Sequence, residues 1–252
     1  MILSHILRFF YKGWHFMQKK VGIIGAMEIE LNQLKSILQD KKETETAGMT
    51  FFEGTVSGCP VVLVRSGIGK VNAALCAQLL ALKFGVTHVI NTGIAGAMAH
   101  GLKVLDFVVS SDALYHDMDA TGFGYKPTQI PQMECSDFRA DPALIEAARN
   151  AFGRMSDSAR HKMLLGRVAS GDQFISDRAL KEKIRSICDP ACVEMEGAAI
   201  AHACYLNKIP FVIIRCMSDM ADDGEETSYT FNEQTAAALS ATLVIKMLDT
   251  VK

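Results

Sequence analysis

From residue 20 to the C-terminus, apolar runs of strand length alternate with stretches of helical pattern, which limits the chain to few architectures. "KVGIIGA" (20–26) precedes a helical pattern over 28–39, "VVLVRS" (61–66) precedes one over 70–84, and "THVINTG" (87–93) precedes a loop. "VLDFVVSSDAL" (104–114) comes before a helix near 141–153, "LLGRVAS" (164–170) before one near 177–187, and "CVEME" (192–196) before another. "PFVIIRCMSD" (210–219) leads into a terminal helix. This order predicts an α/β domain whose sheet is largely buried under helices. With 252 residues, 49% of them hydrophobic, there is enough apolar material for one large core.

Lys plus Arg (26) nearly balance Asp plus Glu (28), so no basic field exists to hold a nucleic-acid backbone or an anionic membrane. The expected partner is a small, roughly neutral molecule. Seven cysteines, at 59, 76, 135, 188, 192, 204 and 216, include no CxxC pair, and several sit in apolar runs. They read as reduced core thiols of a cytoplasmic protein. The nearest metal-ligand candidates, Cys188 with Cys192 and His202 with Cys204, make no recognisable set, so no metal is expected. Residues 1–16, "MILSHILRFFYKGWHF", are aromatic and basic, and Arg8 and Lys12 interrupt the apolar run. With no cleavage site after them they read as an extension outside a single domain over 17–252, with Met17 as a natural start. No stretch is long and apolar enough to span a bilayer.

In sheets of this class ligands gather where strands end. The segments there read "GAMEIE" (25–30), "SGIGK" (66–70), "NTGIAG" (91–96), "YHDMDATGFGY" (115–125), "SGDQFIS" (170–176), "EMEGA" (194–198) and "RCMSDMADD" (215–223). Glycines and acids recur in nearly all of them. Two phosphate-binding readings fail. A P-loop needs Gly at 64 and Ser or Thr at 71, where the chain has Val64 and Val71. A dinucleotide fingerprint in "GIGKVN" (67–72) ends in Asn72 rather than Gly or Ala. "ACVEMEGAAIA" (191–201) sets two carboxylates, Glu194 and Glu196, in an otherwise apolar run, where an unpartnered charge is costly.

Taken in order, "GIIGAMEIE", "SGIGKVNAA", "NTGIAG", "YHDMDATGFGY", "SGDQFI", "VEMEGAAIA" and "RCMSDMAD" closely resemble the 5′-methylthioadenosine/S-adenosylhomocysteine nucleosidases of the nucleoside phosphorylase/hydrolase superfamily. The resemblance runs from about Met17 to the C-terminus. It implies a three-layer α/β/α sandwich around a twisted mixed sheet, and a homodimer that needs no cofactor.

Residue chemistry supports the same activity independently. Cleaving an N-glycosidic bond builds positive charge on the ribose and negative charge on the departing base. The reaction calls for an acid at the base, anionic groups at the sugar and a held water beneath it. By resemblance Asp219 is the general acid at adenine N7, oriented by Ser218; taken alone, an Asp there reads as a loop or helix cap. The resemblance likewise implies that Glu196 accepts hydrogen bonds from the ribose hydroxyls while Met195 packs on the sugar, and Glu194 reads as a structural acid with a backbone or basic partner. Glu30 matches the base that orients water, against the plainer reading of a surface Glu in a first helical turn. Arg215 matches an arginine near water and carboxylates, or a structural ion pair.

The resemblance also assigns the pocket walls. Phe174 stacks on adenine and the Ile175 backbone reads its edge. Met27, Ile68, Phe123 and Phe231 line the pocket of the 5′ substituent, where apolar walls suit a thioether. Ile130 and Pro131 cross into the partner's site. Each apolar residue taken singly reads as core. Two departures stand out: Ile94 replaces the family's usual Ser in "NTGIAG", and "DDGEETSYTF" (222–231) is long, leaving Tyr229 to compete with Phe231.

Three rivals remain at this stage. A purine nucleoside phosphorylase would place arginines in the first glycine loop and beside the "TG" strand end, where this chain has none. A nucleosidase for another 6-aminopurine or futalosine-type nucleoside would share the acids. A silent nucleoside-binding protein would not need all three of Glu30, Glu196 and Asp219.

Overall fold

A computed structural model describes residues 19–222 and 226–251, the side chains of 226–231 excepted. The N-terminal extension, the boundary at Met17 and the pocket roles expected of Tyr229 and Phe231 therefore lie outside the described residues. The strands are β1 (Val21–Gly25), β2 (Gln39–Thr46), β3 (Met49–Val56), β4 (Cys59–Arg65), β5 (His88–Ala97), β6 (Phe107–Tyr115), β7 (Phe138–Arg139), β8 (Met163–Ser170), β9 (Cys192–Glu194) and β10 (Phe211–Asp219). The helices are α1 (Asn32–Ser36), α2 (Lys70–Leu82), α3 (Pro142–Gly153), α4 (Arg178–Cys188), α5 (Gly197–Asn207) and α6 (Glu226–Leu248).

The strands form one mixed sheet in the order β10-β6-β8-β9-β5-β1-β4-β3-β2, with β7 on β6. Because β10 also pairs with β5, the strands β5, β10, β6, β8 and β9 close on themselves. Helices α2 and α5 pack together on one side; α6 lies on β5 and β10 with α1 and α3 beside it. This is the expected three-layer arrangement. All five residues of β1 are buried, as a central parallel strand covered on both faces requires, so its sequence is a continuous apolar run. Asp141 and Asp177 cap α3 and α4, accepting from Leu144 N–H (2.9 Å) and Leu180 N–H (2.7 Å). No helix among the described residues is long and apolar enough to cross a membrane.

Three expectations are corrected. The helix over 28–39 is instead a 3-10 turn at Glu28–Glu30 and the short α1, with the chain already in β2 by Gln39. Met27 N–H donates to the Glu30 carboxylate at 2.9 Å, which tightens this entry and turns Glu30 inward. The exposed "QDKKETET" of β2 has no apolar alternation; it is a strand because β3 pairs with it. Its hairpin turns at Ala47-Gly48, and the next at Ser57-Gly58, all four residues at positive φ, as two-residue hairpin loops demand. "THVINTG" does not end in a loop, for β10 pairs with β5 from Val89 to Gly96 and carries the strand through the glycines. Finally, "CVEME" stops being a strand at Glu194, whose carboxylate accepts the Glu196 and Gly197 N–H groups and turns the chain into α5.

Gly93, in β5, is the tightest position in the closed part of the sheet. A Cβ there would collide with the Arg215 guanidinium and the Glu30 carboxylate, so only glycine lets these two side chains meet across the strand.

Candidate active site

An open-mouthed cavity of about 570 Å³ lies where β1, β4, β5, β8, β9 and β10 end. Its floor is a buried charge cluster around Arg215, which is 1% exposed. The guanidinium donates through Nη2 to Glu194 and to Asn91 Oδ1 (2.6 Å), and through Nη1 to the Ile94 carbonyl (3.2 Å). Asn91 is itself oriented by donating to the Ile24 carbonyl at 3.0 Å. Glu196 lies 3.6 Å and Glu30 4.0 Å from the same guanidinium. Burial works against the arginine's charge, but the three carboxylates outweigh it and keep Arg215 cationic.

The three acids are not equivalent. Glu194 accepts from Ser170 Oγ, Arg215 Nη2, Glu196 N–H (3.1 Å) and Gly197 N–H (2.7 Å). Three of these donors meet Oε2 and Ser170 meets Oε1, so Glu194 is largely committed to the protein. Glu196 accepts from Gly69 N–H at 2.9 Å, the amide that opens α2, and otherwise faces the cavity. Glu30 accepts from Met27 N–H (2.9 Å) and Ile94 N–H (3.2 Å). The Ile94 backbone thus supplies a contact to Glu30 at the position where a serine hydroxyl is missing.

One guanidinium cannot neutralise three carboxylates. Two like charges 4 Å apart repel by about 4 kcal/mol at an effective dielectric constant near 20, so full ionisation of the cluster is costly. Burial pushes Glu30 above the usual carboxylate range, against the pull of Arg215 and of backbone donors. Glu196 is pushed up to about 7, by burial first and by Glu194 second, with Arg215 and Gly69 N–H opposing. Near neutral pH the Glu196 carboxyl is therefore partly protonated, and a cation beside it would favour the ionised form.

Asp219 stands at the opposite edge, at the end of β10. Ser218 Oγ donates to its Oδ2 and Ala221 N–H to its Oδ1, both at 2.8 Å. Gly96 leaves the room it needs, since a Cβ there would come within 2.9 Å of Oδ1. Phe174 (57% exposed) and Ile68 (52% exposed) form an apolar rim, while Ile175 is buried.

Of the residues singled out in the sequence, Glu30, Glu196 and Asp219 border this one cavity, together with Met27, Ile68, Phe174, Ile175, Met195, Arg215 and Ser218. Phe123, Ile130 and Pro131 are not among the residues that line it. Phe123 rides a 3-10 turn, Thr121–Phe123, and is 88% exposed, whereas Ile130 packs against the main core. Asn91, Ser170 and the Gly69 amide went unrecognised in the sequence. A buried Asn inside the apolar run "VINTG" was the available signal for the first.

The chain matches the phosphorylase superfamily over residues 20–249. The 5′-methylthioadenosine/S-adenosylhomocysteine nucleosidase of Colwellia psychrerythraea is 46% identical over 92% of this chain and 97% of its own. The chain belongs to this nucleosidase family. The Colwellia enzyme in complex with adenine superposes with a TM-score of 0.87 at 44% identity, covering 92% of this chain and 95% of that one. The Neisseria meningitidis nucleosidase in complex with methylthio-immucillin-A gives 0.87 at 39% identity, covering 92% and 99%. A futalosine hydrolase of Helicobacter pylori is also similar, at 0.85 and 30% identity over 93% and 99%.

The raised Glu196 carboxyl makes the nucleosidase fold pH-sensitive. A group whose folded-state value (about 7) exceeds its ordinary value (4.5) contributes stability that is fully present below about pH 4.5 and lost as pH rises through about 7. The Tm of Glu196→Gln is therefore expected to change less than wild type across this window in thermal melts. Parallel profiles would show that Glu196 is not the titrating group.

Proposed function

We propose that the protein hydrolyses the N-glycosidic bond of 5′-methylthioadenosine and S-adenosylhomocysteine, releasing adenine and the 5′-thioribose product. The observation that carries this reading is the convergence of Glu30, Glu196 and Asp219 on one cavity whose buried cation is already engaged by protein acceptors. Phosphate would meet Glu30 at the place where it must attack, and among the described lining residues Arg215 is the one cationic side chain. Water is the nucleophile that fits.

In this reading Phe174 stacks on the purine and the buried Ile175 backbone reads its edge. Glu196 accepts hydrogen bonds from the ribose hydroxyls and faces the charge that develops as the C1′–N9 bond breaks, while Met195 packs on the sugar. Glu30, held by Met27 and Ile94, orients a water and takes its proton as the oxygen bonds C1′. Asp219, held by Ser218 and Ala221, gives a proton or hydrogen bond to N7 of the leaving adenine. A positioned acid of this kind contributes roughly 10²–10⁴ in rate. Met27, Ile68 and Met195 offer the thioether an apolar, polarisable wall.

We further propose a homodimer. Val71, Leu75 and Leu82 on α2 and Tyr205 and Leu206 on α5 are exposed on the two helices that pack together. Exposed large apolar residues gathered on packed helices support an interface. Ile130 and Pro131 of each chain would then cross into the partner's site. Residues 1–16 stand outside the catalytic domain in this reading. Seven cysteines, all free, support a reducing, cytoplasmic setting, and kinship with the named nucleosidases supports a role in methionine salvage.

Incubation with each thioether nucleoside and with futalosine, with and without phosphate, is expected to release adenine and free thioribose from the first two, independent of phosphate. A ribose 1-phosphate product, or turnover of futalosine alone, would overturn the assignment. Asp219→Asn is expected to lose about 10²–10⁴ in kcat while still binding nucleoside; unchanged turnover removes Asp219 from the acid role. Sedimentation equilibrium is expected to give a dimer, and Val71→Glu with Leu206→Glu to give monomers of low activity. A fully active wild-type monomer contradicts the proposed interface.

A further inference from the structure

Lys181 is a buried cation that the reaction above does not use. It sits in the first turns of α4 and is 8% exposed, a degree of burial that lysine reaches almost solely when paired. Its Nζ donates to the backbone carbonyl of Met220 and lies 3.2 Å from Asp222 Oδ2. Met220 is the residue directly after Asp219. The lysine therefore grips the outside of the turn whose inside carries the Ala221 N–H to Asp219 Oδ1 bond of 2.8 Å. Ala221 holds this turn in the left-handed region (φ 51°) and is itself buried.

The other end of the connection is the purine-contacting segment. Phe174 and Ile175 belong to the loop that leaves β8, and that loop ends at Asp177, the cap of α4. One short helix thus carries the loop assigned to the base at its start and, a turn later, the ammonium that clamps the loop assigned to the acid. Proton donation needs donor and acceptor within about 2.6–3.2 Å. A misplacement of about 1 Å can cost about 10²-fold in rate. An ion pair whose carboxylate is exposed, as that of Asp222 is, contributes little stability, so stability alone gives little reason for lysine here.

We propose that Lys181 is a positioning residue for the reaction, fixing the Asp219 turn relative to the loop that holds the purine. The proposal rests on Asp219 being the acid. It also accounts for the engagement of Lys181 with a main-chain carbonyl, which sets backbone position whatever side chain stands at 220.

The test is a double-mutant cycle on the full chain with 5′-methylthioadenosine as substrate. Lys181→Met is expected to lower kcat about 10-fold with KM within about 2-fold, and Lys181→Arg, which keeps a cationic donor, to recover most of that loss. In the Asp219→Asn background Lys181→Met should cause no further fall in kcat, since no acid remains to be positioned. Lys181→Gln, read in the same cycle, covers failure of the methionine variant to fold. Full kcat in both Lys181→Met and Lys181→Gln overturns the positioning role, as does an equal fall in the wild-type and Asp219→Asn backgrounds. Wild-type turnover by Asp219→Asn itself overturns the acid assignment instead, a result that the Lys181 variants alone cannot produce.

Discussion

A single guanidinium beneath the cavity, Arg215, holds together groups that would otherwise repel one another. Glu194, Glu196 and Glu30 come from β9, the turn after it and the turn after β1, and each of these elements reaches Arg215 on β10. The strand between them, β5, must be bare at Gly93 for the contact to form, and Asn91 must present its oxygen rather than its amide. Take away the arginine and three carboxylates share a dry site without a counter-charge, an arrangement that costs several kcal/mol per ion. Burial pushes Glu30 and Glu196 toward their neutral forms, which eases the crowding of like charge around Arg215.

That unfinished neutralisation links fold to chemistry. An array that is short of positive charge is complementary to a sugar that gains positive charge as its base departs, and less so to the neutral ground state. Glu194 also borders the cavity but is engaged in holding the β9–α5 turn, whereas Glu196 and Glu30 are held by fewer protein donors. The amide of Gly69 tethers Glu196, and the next amide, that of Lys70, donates to Asp172 Oδ1 at 2.9 Å in the loop that bears Phe174. The start of α2 therefore registers the sugar side of the site against the base side.

Much of this was legible beforehand because the signals were chemical. Acids placed after apolar runs announced strand ends, and the closure of β5 with β10 and β9 brings those ends together. The features that escaped are of another kind. The strand β2 carries no apolar alternation, so the local sign of its pairing with β3 was the Ala47-Gly48 turn that joins them. Glycines in "NTGIAG" read as a loop because partner strands, absent from a local window, decide whether they extend. Ile94 looked like a lost contact, yet its main chain serves Glu30 and Arg215, a service that any residue type can perform. Phe123 was assigned to a wall by motif, and its place on an exposed surface turn is not something the motif reveals.

The central claim is that the Arg215-centred carboxylates favour positive charge at the sugar. The direct measurement compares the affinities of two 5′-methylthio adenine analogues of the same shape, one with a cationic pyrrolidine in place of ribose and one with a neutral carbocycle, in wild type and in Glu196→Gln. The cationic analogue is expected to bind wild type at least about 100-fold more tightly, with most of that preference lost in Glu196→Gln. Equal affinities in wild type, or a preference untouched by the substitution, would contradict the account.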